Sequence, residues 1–223
     1  MENESSLIQF VKTHRSGLLI VALVIQMIVS PVADYHPRAG ALLAAFVWLL
    51  VIAAAVQLAN RKIVRSIVLP IGVLWAIARM LEAFGDHRHA YARLAPAFGL
   101  ALSCAVLWAI FDRLRSAPRA TGTTIAESFV GYLVIATAFA QLYWILNQVL
   151  EKPFNQNIPA YEISTFLYFS LITITSVGYG GIVPVNPYVR MVAAFESVVG
   201  VFYVAVIVAR LVSSYRTSAQ SQG

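Results

Sequence analysis

Long apolar segments dominate this 223-residue chain and limit what it can fold into. There are six of them, over residues 17–33, 39–59, 63–84, 94–111, 125–150 and 188–213. Each is near the length of about 20 residues that a helix needs to cross a bilayer. A helix satisfies its own backbone hydrogen bonds, which the hydrocarbon core cannot do. The segments therefore predict an all-α membrane protein with six transmembrane helices.

The composition agrees with a membrane location. The chain is 60% hydrophobic and 12% charged, with a mean hydropathy of +0.76, whereas a soluble domain carries about 25% charged residues. The net charge of +6 fits basic loops beside a cytoplasmic leaflet, so it gives no reason to expect a nucleic-acid partner. The single cysteine, Cys104, excludes an internal disulfide, and we expect it to be a small buried hydrophobe.

With six spans, the loops alternate between the two sides of the membrane, and basic residues are more numerous on one side than on the other. The larger set comprises Lys12, Arg15, Arg61, Lys62, Arg65, Arg113, Arg115, Arg119, Arg210 and Arg216. The smaller set comprises Arg38, Arg88, Arg93, Lys152 and Arg190, with Arg79 at a helix end. Positively charged loops face the cytoplasm. We therefore expect a multi-pass protein of the cell (plasma) membrane with both termini cytoplasmic, which places residues 151–181 outside.

These segments predict five consecutive regions. They are a cytoplasmic N-terminal segment (1–15), a four-helix membrane domain (16–111), a cytoplasmic linker (112–124), a second membrane domain (125–215) and a disordered tail (216–223). Thr124 and Glu127 have the spacing of a capping box at the start of the fifth helix.

A short apolar run in the last outer loop is the most informative feature of the second membrane domain. Residues 161–174 are too few to span a bilayer, and the sequence Ser176-Val177-Gly178-Tyr179-Gly180 follows them. Non-helical backbone at membrane depth is tolerated only where it is buried in protein or lines a water-filled path. The run therefore predicts a re-entrant helix and loop. Glycine reaches the unusual dihedrals that align successive carbonyls, and such oxygens can replace the hydration shell of K⁺.

Ser-Val-Gly-Tyr-Gly resembles the selectivity filter of the tetrameric potassium channels, usually written Thr-Val-Gly-Tyr-Gly. Pro184, Arg190 and Gly200 follow it at the family's spacing. The resemblance implies that 125–215 is a pore domain made of a helix, a pore helix (161–174), a selectivity-filter loop (176–180) and an inner helix. It also implies a homotetramer among membrane lipids, K⁺ as the permeant ligand, no cofactor and no enzymatic activity. The six spans resemble the voltage-gated-like branch of the family.

The resemblance also assigns roles to individual residues. The K⁺ ligands would be Ser176, Val177, Gly178, Tyr179 and Gly180. Filter support would come from Thr173, Thr175, Tyr168 and Phe169. The hinge and cavity wall would be Gly200, Val201, Val204 and Val208. For Gly200, close helix packing by a small residue is an equally good interpretation.

Three positions depart from the family pattern. Ser176 stands where threonine is usual, Gly181 replaces an aspartate after the filter, and Tyr168-Phe169 replace two tryptophans. We expect the ends of the filter to have fewer supports. A weakly selective cation channel is therefore an alternative, and a membrane subunit that regulates another transporter without conducting is a second one.

Glu196 is an ionisable residue inside the sixth segment, and such a residue suggests a function. In one interpretation it hydrogen-bonds behind the pore helix, near Ser170 or Thr173, and supports the filter. In the other it faces an aqueous cavity and attracts cations. Its place near the outer end of the helix favours the first.

The fourth segment lacks the charges of a voltage sensor. It contains no arginine or lysine, and Arg93 lies only at its outer end. Steep gating needs several charges, because one charge moved through the field yields about 2.3 kcal/mol per 100 mV. We expect the first four helices to be a scaffold around the pore.

Overall fold

The structure is a computed structural model. It describes residues 17, 20–32, 34–36, 39–40, 42–43, 46, 49, 62–84, 88–116, 122–159 and 162–220. Most of the second apolar segment, 39–59, lies outside the described residues.

The described part of the chain is helical. Its helices are α1 (Ile20–Val32), α2 (Lys62–Phe84), α3 (Arg88–Ser116), α4 (Gly122–Val149), α5 (Ile163–Ile174) and α6 (Pro187–Gln220). An isolated antiparallel bridge joins Phe154 to Pro184 in the loops on either side of α5. The start of α6 follows from its sequence: Asn186 caps it by accepting the Tyr188 N–H at 2.9 Å, and Pro187 occupies the first helical position, where its missing N–H costs nothing.

Three of these helices are long and apolar enough to cross a membrane. They are Leu94–Arg115 within α3, the whole of α4, and Pro187–Arg210 within α6. The apolar parts of α1 and α2, Ile20–Val32 and Ser66–Ala78, are shorter. A helical chain with three such helices fits a membrane protein. The count of six spans stays a prediction.

Several predicted boundaries need correction. Helix α3 runs to Ser116 and α4 begins at Gly122, so helix enters the predicted linker (112–124) from both sides. The capping box is wrong, because Thr124 lies inside α4 and Glu127 accepts a hydrogen bond from Arg113 at 2.7 Å. Residues 216–220 are helical and not disordered, since residues 211–220 contain no glycine or proline to end the helix.

The helices pack largely in chain order. Helix α2 contacts α3, α3 contacts α4, and α4, α5 and α6 contact one another. One apolar core is shared by the four helices α1, α2, α3 and α4. It includes Ala22, Leu23, Val68, Trp75, Leu102, Val106, Val130 and Val134. A second surrounds α5 and includes Tyr143, Trp144, Phe154, Phe166, Phe169, Ile182 and Val189. Cys104 is exposed on α3, so the expectation that it is buried is wrong.

Helix α6 is the least covered of the three helices that are long and apolar enough to cross a membrane. Within its most apolar stretch 17% of residues are buried, compared with 61% for α4. Its buried positions, Val189, Glu196 and Gly200, are separated by seven and four residues, which are two turns and one turn of helix, and they face α4 and α5. The other faces are apolar and exposed, which suits contact with lipid or with further copies of the chain.

Candidate functional site

The predicted filter begins in the C-terminal cap of α5. The Val177 N–H donates to the Ile172 carbonyl and the Ser176 N–H to the Thr173 carbonyl, both at 2.9 Å. Ser176 adopts the left-handed conformation, with φ of +58°. This pattern is a Schellman motif, in which glycine is the usual left-handed residue. Serine carries a Cβ, which makes this conformation cost about 1–2 kcal/mol.

Left-handed residues recur at every second position of the loop. After Ser176, Gly178 has φ of +52° and Gly180 has φ of +82°, while Val177 and Tyr179 between them keep negative φ. The sequence predicts unusual dihedrals at the two glycines, and the structure has them there. It does not predict the left-handed serine. A regular strand cannot alternate in this way, so the backbone of 176–180 has a special conformation, which glycine adopts without steric penalty.

The surface of this loop is open in the single chain. Residues 176–181 are all exposed, with 50% of the Val177 side chain and 75% of the Tyr179 side chain accessible. Tyr168, predicted to support the filter, is also exposed. Within the described part of the chain, these side chains do not reach a core.

Thr173 and Thr175, also predicted to support the filter, bind their own helix. Each hydroxyl donates to the carbonyl four residues earlier, Phe169 at 2.7 Å and Leu171 at 2.6 Å. A neighbouring contact comes from α6, where the Ser197 hydroxyl lies 3.2 Å from the Thr173 carbonyl oxygen. Sequence reasoning missed Ser197, because serine in a membrane helix commonly bonds only its own backbone.

Glu196 lies behind α5 and is fully buried. Its Oε1 accepts a hydrogen bond from Ser170 at 2.5 Å, and its Oε2 accepts one from Tyr143 at 2.6 Å. The carboxyl group therefore joins α6, α5 and α4. This is the first of the two predicted arrangements, with Ser170 rather than Thr173 as the partner. Tyr143 was missed, although a buried tyrosine hydroxyl normally needs a partner.

Phe169 packs into an aromatic cluster beside this carboxyl group. Its ring meets Tyr143 at 4.8 Å and Phe154 at 5.2 Å between centroids, both edge to face. Such pairs contribute about 0.5–1.5 kcal/mol each beyond their burial. Phe169 thus fixes α5 by packing, and the hydrogen bond in this cluster comes from Tyr143.

Asn155 holds the chain that follows the loop. Its backbone N–H donates to the Val183 carbonyl at 2.8 Å, and its side-chain oxygen accepts the Val183 N–H at 3.0 Å. Its amide nitrogen lies 3.4 Å from the Gly181 carbonyl oxygen. The segment after the predicted filter, which begins at Gly181, is therefore anchored from the loop that precedes α5. Sequence reasoning missed this residue, because asparagine is common in loops.

Gly200 allows α6 to touch the end of α5. A Cβ at this position would overlap the Ile174 carbonyl oxygen and lie 2.8 Å from the Ile174 Cγ1. Tyr132 donates to the same carbonyl at 3.0 Å. The structure thus shows the close packing that was one of two interpretations of Gly200, and the hinge stays a prediction.

The three valines predicted to line a cavity follow Gly200 on α6. Val201, Val204 and Val208 are exposed in the single chain. Their spacing places them on one face of the helix. Val204 and Val208 follow Gly200 by four and eight residues, so this face borders the buried stripe that contacts α4 and α5.

Comparison with known proteins gives a match that includes the loop of residues 176–180. Residues 127–216, somewhat less than half of the chain, match a family model described as "Ion channel". Neither the curated proteins nor the solved structures gave a match. The matched residues contain nearly all of α4, the whole of α5, the loop of alternating left-handed residues and most of α6. The match supports an ion channel, built in this chain by α4, α5, the loop after α5 and α6.

Proposed function

We propose that this protein is a potassium-selective channel that conducts passively through the axis of a homotetramer. The observation that carries the proposal is the alternation of left-handed backbone at Ser176, Gly178 and Gly180. It occurs in the sequence Ser-Val-Gly-Tyr-Gly, inside the region that matches an ion channel. Four such segments would surround one axis, and their carbonyl oxygens would replace the water around K⁺.

The chain's own groups would form the pathway in order. Carbonyls of Ser176 to Tyr179 and the Ser176 hydroxyl are the ion ligands, and α5 aims its negative C-terminal end toward the ion below them. Val201, Val204 and Val208 form the wall of the cavity. The exposure of the loop and of α6 fits surfaces that become covered by neighbouring subunits and lipid.

The contacts behind α5 would hold the filter in place. Glu196, bound to Ser170 and Tyr143, fixes α5 between the two longer helices of the pore domain. Phe169 adds aromatic packing on the same side. Both residues thus serve as filter support without contacting an ion.

The proposal includes a topology. Six spans with a re-entrant α5 place both termini in the cytoplasm and the loop 151–181 outside a plasma membrane. Residues 16–111 form a scaffold domain without strong voltage gating, and residues 125–215 form the pore domain. The basic loops and the uncharged fourth segment support this arrangement.

A weakly selective cation channel is the second candidate. It is favoured by Ser176, whose side chain lacks the methyl of threonine and whose backbone is strained, and by Gly181, which provides no acidic group. A non-conducting regulatory subunit is the remaining alternative.

Flux into liposomes tests these candidates. Purified protein should pass K⁺ in preference to Na⁺, with block by Ba²⁺. Gly178→Ala should abolish the flux, because it puts a Cβ on a left-handed residue at a cost of about 1–2 kcal/mol. Gly181→Ala is the matched control, since Gly181 lies outside the left-handed region and has open space around it. Equal K⁺ and Na⁺ flux would favour the second candidate, and no flux at all would exclude both channels.

A further inference from the structure

The N-terminus of α5 has no cap from its own sequence. Glu162 occupies the N-cap position but makes no capping hydrogen bond; its carboxyl group instead lies 3.3 Å from the Thr165 hydroxyl. The first N–H groups of a helix have no partners within the helix. Such groups are satisfied by a side chain from elsewhere in the protein, by water or by a ligand.

Asp34, just after α1, provides that partner. Its Oδ1 accepts the Ile163 N–H at 3.0 Å, and its Oδ2 accepts a short hydrogen bond from the Ser164 hydroxyl. Asp34 and Ile163 are 129 residues apart in sequence. An aspartate at this place satisfies free N–H groups and also complements the positive end of the helix dipole.

We propose that Asp34 is a positioning residue that couples the N-terminal helices to the filter. Helix α5 has 12 residues, a length at which an isolated helix is marginal in water. Its position therefore depends on contacts with neighbouring elements. The helix ends at Ile174, two residues before Ser176. A displacement of its first residue, Ile163, would therefore also move its last turn and the proposed filter.

The coupling gives the first half of the chain a role besides that of a passive scaffold. The cap joins α1 and α5 of one chain, across the boundary between the proposed scaffold and pore domains. Loss of an N-cap changes the equilibrium between formed and frayed helix end by about 2- to 30-fold. The effect on conduction rests on the proposed channel function, whereas the cap itself does not.

Two measurements on the full-length protein test the proposal. Hydrogen exchange of a peptide covering residues 163–166 reports the cap, and K⁺ flux into liposomes reports the coupling. Asp34→Ala should accelerate exchange by about 2- to 30-fold and lower K⁺ flux or K⁺ selectivity. Asp34→Asn should retain at least the wild-type protection, flux and selectivity, because asparagine caps as well as aspartate. Tyr35→Ala is the control, since the neighbouring Tyr35 side chain is 83% exposed, and it should change neither.

Each failure has a distinct meaning. Unchanged exchange in Asp34→Ala, or an Asp34→Asn as impaired as Asp34→Ala, overturns the cap. Faster exchange with unchanged flux and selectivity, in a wild-type protein that conducts, overturns the coupling. A wild-type protein without flux contradicts the proposed function instead, and the exchange measurement then still decides whether Asp34 caps α5.

Discussion

The carboxyl group of Glu196 and the hydroxyl of Ser170 lie 2.5 Å apart, which ties α6 to α5 behind the proposed filter loop. The same hydroxyl lies 2.7 Å from the Ala136 carbonyl oxygen, and Tyr143 donates to the other carboxyl oxygen. Ser170 has one proton for two acceptors. A group at position 196 that could itself donate to Ser170 would satisfy all of these atoms at once.

Glu196→Gln should therefore preserve stability, because its amide N–H can donate to Ser170 while its oxygen accepts from Tyr143. Glu196→Ala leaves both hydroxyls buried without this partner and should cost at least about 1–3 kcal/mol. Thermal unfolding of the detergent-solubilised protein measures the difference. A glutamine variant as unstable as the alanine variant would contradict this account.

Two substitutions of Ser176 should change the stability of the protein in opposite directions. Ser176→Gly removes a Cβ from a left-handed residue and should raise stability by about 1–2 kcal/mol, while K⁺ selectivity falls because the hydroxyl is lost. Ser176→Thr places a β-branched side chain in the left-handed region, which is an outlier conformation, so it should lower stability. Melting temperatures and the K⁺/Na⁺ flux ratio check both. If threonine stabilised the protein, the left-handed serine would not be the native conformation.

Gly200→Ala should weaken the contact between α6 and α5. The added methyl overlaps the Ile174 carbonyl oxygen, and such overpacking costs about 1–3 kcal/mol. Gly122→Ala, at the start of α4 with open space around it, is the control and should not destabilise the protein. Equal melting temperatures for the two variants would show that α6 does not need this close approach.

Asn155→Ala should loosen the segment that follows the proposed filter. It removes the acceptor for the Val183 N–H and the amide near Gly181, each bond being worth about 0.5–1.5 kcal/mol. We expect weaker K⁺ selectivity and weaker Ba²⁺ block in liposome flux. The exposed Asn157 supplies a control variant, Asn157→Ala, in the same loop. Selectivity unchanged by Asn155→Ala would assign the residue to loop folding alone.

Asp34 should give stability a defined dependence on pH. Burial raises the pKa of this carboxyl group above 3.8, hydrogen bonds from Ser164 and Ile163 oppose that shift, and the charge of Glu162 adds to it. The native state therefore binds the proton more tightly than the unfolded state. The contribution of Asp34 to the unfolding free energy is thus complete below its unfolded pKa and decreases as pH rises through the native value.

The comparison between wild type and Asp34→Asn isolates this contribution. Relative to the asparagine variant, wild type should lose stability as pH rises from 3.8 through the raised native pKa, measured as a difference in melting temperature. A difference that stays constant over this range would mean that Asp34 does not titrate differently in the native and unfolded states.

The sequence predicted the elements with continuous local signals. The apolar runs located α2, α4 and α6 to within a few residues at most ends, and the two glycines predicted the unusual backbone at 178 and 180. These features can be read from the sequence because they depend on the hydropathy and backbone conformational limits of residues that are adjacent in the chain.

The contacts that hold the candidate site depend on partners far away in sequence. Asp34 is bonded 129 residues along the chain and Tyr143 is bonded 53 residues along, and composition does not reveal such pairs. The capping box failed for the same reason, since Glu127 pairs with Arg113 on another helix. Cys104 was misplaced because a membrane helix is apolar on its lipid face as well as its core face, so hydrophobicity does not distinguish the two.

The link between Asp34 and Ile163 also bears on the order in which the protein is made. The carboxylate that completes α5 leaves the ribosome 129 residues before the first N–H that it binds. If the proposed six spans insert in chain order, α1 is already in the bilayer when α5 is synthesised. The N-terminal helices then act as a template during biogenesis, receiving a short helix that has no cap of its own and fixing where it enters the membrane.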